Sequence, residues 1–104
     1  MQKVACLYWT IDNADRASAL VQALIEKKLI ACANILPGVS MYPWQGNIQQ
    51  EQEVFVLCKT HVDRVAEAIE YIEKAHSYDV PCITSWLADS TPAYAGWVTS
   101  VTGM

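Results

Sequence analysis

The thiols of this 104-residue chain are Cys6, Cys32, Cys58 and Cys82, spaced 24 to 26 residues apart. That spacing forms no C-x-x-C pair, so a zinc knuckle or a thioredoxin-type redox motif is absent. Reduced, mostly buried thiols are then the default. A nucleophilic pair of Cys32 with His76 is open on residue types alone, although an inert buried thiol is the commoner state of such a cysteine. His76 also continues, by spacing, the apolar face of a predicted helix, which favours a capping or structural role at that helix's end. No G-x-S-x-G, no H-E-x-x-H, no phosphate-cradling glycine run and no carboxylate pair at helical spacing in an apolar setting occurs. The expectation is a protein without turnover.

Composition narrows the partners. Apolar residues make up 53% and charged residues only 17%, with a net charge of −4. So few charges cannot cover the surface of a small domain, so apolar surface is expected to meet a partner. Nucleic acid is disfavoured, because phosphate binding needs a clustered basic stripe and here only Lys27 and Lys28 are adjacent. An anionic membrane surface is disfavoured for the same reason. Met1 to Thr10 lacks the apolar run and cleavage site of a secretory leader. A cytoplasmic location is therefore expected. Leu29 to Gln50 carries no charge over 22 residues. Its prolines, glycines and amides exclude a membrane span, and a long strand covered on both faces fits it better.

One domain is expected over residues 1–104. Lys3–Thr10 reads as a strand. Ala14–Lys28 reads as a helix, with Ala17, Leu20, Val21, Leu24 and Ile25 on one face. Leu29–Leu36 is a second strand, interrupted by a bulge or bend at Pro37–Gly38 and resuming as Val39–Trp44. After a turn at Gln45–Gly46–Asn47, Gln49–Thr60 is a third strand, its polar first half protruding and its apolar second half central. Thr60 and Asp63 suggest a cap for a second helix carrying Val62, Val65, Ile69 and Ile72. Cys82–Ala88 is a fourth strand, and Ser90–Thr91–Pro92 starts a short final helix. Asp15–Arg16–Ala17 echoes Asp63–Arg64–Val65, which marks two similar halves. The order predicts an α+β, ferredoxin-like βαββαβ fold with a short C-terminal helix, its two main helices on one face of a four-stranded antiparallel sheet. The other face lacks cover, and that calls for an oligomer.

The stretch Ile30–Thr60 resembles the CutA family, small proteins linked to divalent-cation tolerance. The matching pieces are Ala31–Cys32, Pro37–Gly38, Tyr42 with Trp44 and Gly46, Glu53, and Lys59–Thr60. His76–Ser77–Tyr78–Asp79–Val80–Pro81 is similar to the family's H-P-Y-x-x-P, with Ser77 in place of its first proline. The resemblance implies a homotrimer, similar in architecture to PII-type signalling proteins, whose long ribbon of strands 2 and 3 reaches onto a neighbour.

For the site, the resemblance implies an intersubunit cleft involving Tyr42, Trp44, Glu53, Lys59 and Tyr78. Tyr42 and Trp44 also alternate on one strand face, as interface packing requires. Copper or another divalent metal is the family's traditional ligand, and Cys32 and His76 are the soft donors inside matching motifs. Trp9 and Ala75 stand where some relatives have ligands, and Cys82 stands where the family typically has a Glu. One imidazole alone holds no metal selectively. The leading expectation is a trimeric binding or signalling module that requires no cofactor and has an unnamed protein or small-molecule partner. The alternatives are a copper buffer acting through Cys32 and His76, and a small cofactor-free enzyme.

Overall fold

A computed structural model describes residues 1–104. In chain order it contains β1 (Gln2–Ile11), α1 (Ala14–Glu26), β2 (Cys32–Trp44) and β3 (Asn47–Thr60), then a 3-10 turn at Val62–Arg64, α2 (Val65–Ala75), β4 (Ile83–Ser90) and α3 (Pro92–Val101). The strands form one antiparallel sheet in the order β2-β3-β1-β4. This is the expected α+β, ferredoxin-like arrangement. Alternation along each strand sends Leu7, Trp9 and Ile11 of β1, and Val54, Val56 and Cys58 of β3, to one face. There they pack with Leu20 and Leu24 of α1 and Ala68 and Ile72 of α2 in a single buried cluster.

Local chemistry sets the element ends. Asn13 caps α1, its Oδ1 accepting from the Arg16 N–H at 2.9 Å. The helix stops at Glu26, short of the expected Lys28, because Lys28 turns to φ 60° and breaks the ladder. Leu29, Ile30 and Ala31 are then buried in the connection rather than paired in β2. Thr60 caps no helix: it is fully buried and its hydroxyl donates to the Leu29 carbonyl at 2.8 Å. His61 takes that role, its Nδ1 accepting from the Asp63 N–H at 3.0 Å.

The expected bulge at Pro37–Gly38 is absent. β2 and β3 keep one unbroken register from Cys32↔Lys59 to Trp44↔Asn47, with Pro37 opposite Val54 and Gly38 opposite Glu53. Pro37 is tolerated because β2 is an edge strand. Gly38 is needed for a different reason. A Cβ there would sit 2.1 Å from Cε2 of Phe55, so the ring occupies the space that the glycine leaves. The ribbon ends in a two-residue turn with positive φ at Gln45 (50°) and Gly46 (82°), the geometry whose twist matches the flanking strands.

β1 pairs with β3 only from Val54 to Thr60. Residues 38–44 and 47–53 therefore run on as an isolated two-stranded ribbon, and the molecule is 46 Å long against 26 and 21 Å. The uncharged segment is thus an edge strand, covered on neither face along its outer half. The face opposite α1 and α2 has partial cover: Ala95 and Val98 of α3 pack on Val4 and Ala31 at one end. Leu36 on that face remains exposed.

Candidate functional site

Where the ribbon leaves the body, a cleft of about 660 Å³ opens between β3 and the loop after α2. Register sends Tyr42 and Trp44 of β2 and Glu51 and Glu53 of β3 to one face of the ribbon. The loop supplies Tyr78, Asp79 and Val80, while Thr10 of β1 and Cys82 complete the wall. The Tyr78 hydroxyl donates to Glu53 Oε2 at 2.9 Å, so loop and ribbon are tied across the opening.

His76 holds that loop in place. Its Nδ1 accepts from the Tyr78 N–H at 3.0 Å, which leaves Nε2 as the protonated nitrogen, and Nε2 donates to the Thr10 carbonyl at 2.6 Å. The imidazole also stands edge-on to the buried Trp9 ring at 6.3 Å. Both ring nitrogens are engaged with backbone, so His76 terminates α2 rather than extending its apolar face.

The electrostatics of the cleft are one-sided. Burial, then the Glu53 carboxylate, pushes the Tyr78 phenol far above its ordinary range. The neighbouring Glu51 carboxylate raises the Tyr42 phenol. Both tyrosines therefore stay neutral hydroxyl donors toward carboxylates at neutral pH.

Of the residues singled out from sequence, Tyr42, Trp44, Glu53 and Tyr78 line this cleft, and Lys59 does not. Lys59 lies at the other end of β3, level with Cys6 and Cys32, where its Nζ donates to Asn34 Oδ1. Cys32 contacts the Tyr94 hydroxyl of α3 at 3.2 Å, and burial pushes that phenol up to about 12. Cys32 and His76 are not brought together. The Thr10 carbonyl that His76 binds is four residues along β1 from the Cys6–Lys59–Cys32 row, or about 13 Å. No group of three or more His, Cys, Asp or Glu side chains is placed to hold a metal, so the residues present do not fit a metal centre.

Sequence reading passed over Glu51 and Asp79 as cleft residues. Glu51 was legible in principle, being two residues from Glu53 and hence on the same strand face. Asp79 was not, because only the fold of the 76–82 loop brings it to the ribbon. Trp9, in the position where some relatives have a ligand, is instead a fully buried core residue whose Nε1–H donates to Cys58 Sγ at 3.3 Å. Burial of Cys58 itself pushes its thiol up to about 11, against the lowering effect of the Trp9 hydrogen bond.

Comparison with known proteins agrees with this architecture. Residues 5–101 match the family model for the CutA1 divalent ion tolerance protein. The chain is 34% identical over 96 residues to the divalent-cation tolerance protein CutA of Thermus thermophilus, covering 90% of this chain and 93% of that one. It is 32% identical over 97 residues to the protein CutA homolog of Xenopus laevis, covering 91% of this chain but spanning only 64% of that protein's length. Among solved structures, the divalent ion tolerance protein CutA1 of Ehrlichia chaffeensis superposes with a TM-score of 0.95 at 32% identity, over 100% of this chain and 99% of that one. The matching sequence, the βαββαβ order and the long β2–β3 ribbon agree in one assignment: the chain belongs to the CutA1 divalent ion tolerance family.

Proposed function

We propose that this protein serves divalent-cation tolerance as a homotrimeric binding or signalling module without turnover, and that its binding element is the cleft lined by Tyr42, Trp44, Glu53 and Tyr78. The observation that carries the assembly is the ribbon. A two-stranded hairpin is marginal in water, yet this one extends past the body with Val39, Met41, Trp44 and Ile48 exposed. Burying each such side chain contributes about 1.5–3 kcal/mol, so contact with neighbouring copies is its natural stabilisation. A three-fold arrangement is what the resemblance to the family implies.

The absence of turnover rests on the chemistry of the cleft. The Tyr78 phenol is raised by burial and Glu53, and the Tyr42 phenol by Glu51, so neither tyrosine serves as a base at neutral pH and both position a ligand instead. A copper-buffering role through Cys32 and His76 has no support from the geometry, since each side chain is engaged elsewhere. The four cysteines are free thiols, which suits a reducing, cytoplasmic setting. No helix is long and apolar enough to cross a membrane.

Light scattering on the wild type and a Val39→Asp, Met41→Asp variant tests the assembly. Both positions lie on the ribbon face opposite the cleft. A three-subunit mass that the variant loses is expected, and an unchanged mass in the variant would remove the ribbon from the account.

A further inference from the structure

We draw no further inference here: the strongest candidate, the apolar groove between α2 and the open edge of β4 lined by Val62, Val65, Ile69 and Leu87, carries none because nothing in the structure shows what covers it.

Discussion

Tyr78 donates its hydroxyl to Glu53 at 2.9 Å across the mouth of the cleft, although the two residues stand 25 positions apart on a loop and a strand. The contact joins the end of α2 to the point where the ribbon leaves the body. It thereby fixes the separation between the aromatic and acidic walls. His76 makes it reproducible by clamping the Tyr78 backbone on one side and the Thr10 carbonyl on the other.

Removing that hydroxyl gives the first prediction. Tyr78→Phe should lower unfolding free energy by about 1–3 kcal/mol, the cost of a lost bond to a charged acceptor. The pH dependence has a definite sign. The folded phenol is raised above its unfolded value of about 10, so its stabilisation is complete below that pH and is lost as pH rises beyond it. Urea unfolding from pH 8 to 11 should show stability falling more steeply in the wild type than in Tyr78→Phe. Parallel curves would detach the pH effect from this residue.

A second prediction concerns the ribbon's close approach. Gly38→Ala places a methyl group into the Phe55 ring and should cost about 1–3 kcal/mol of stability. In a Phe55→Ala background the same substitution should cost little. Thermal denaturation of the four proteins in the cycle measures the coupling.

How much of this was legible in the sequence depends on range. Alternation in Val54–Cys58 and the three-and-four spacing of α1 gave strand, helix and, apart from Ile25, which is exposed at the edge of its stripe, core face correctly, because those patterns are local consequences of burial. Pro37–Gly38 read as a break because each residue alone disfavours a strand. Only the fold shows that Pro37 lies on an edge and that Phe55 fills the space over Gly38. Thr60 read as a helix cap for the same reason, since its true acceptor, Leu29, is 31 positions away. Asp79 and the clamp made by His76 depend on long-range loop placement, which spacing does not encode.

Thiol accessibility supplies a third prediction. Cys58 is fully buried, with its thiol raised to about 11, whereas Cys82 is exposed at the cleft. Iodoacetamide labelling of the native protein at pH 8, read by peptide mass spectrometry, should modify Cys82 and spare Cys58 until denaturant is added. Early labelling of Cys58 would contradict the Trp9–Cys58 packing.

Copper offers a fourth. Because Cys32 and His76 lie on different rows of the sheet and are engaged with Tyr94 and with backbone, a Cys32→Ala, His76→Ala variant should bind Cu(I) and Cu(II) as the wild type does. Titration against a competing chelator reads this directly. A loss of affinity of tenfold or more would revive the paired site.

The central claim, that the exposed ribbon of this family member is stabilised by neighbouring copies, is tested most directly by sedimentation equilibrium of the unmodified chain at micromolar concentration. A single species at three times the 11.6 kDa subunit mass is expected. A stable species at the subunit mass itself would contradict it.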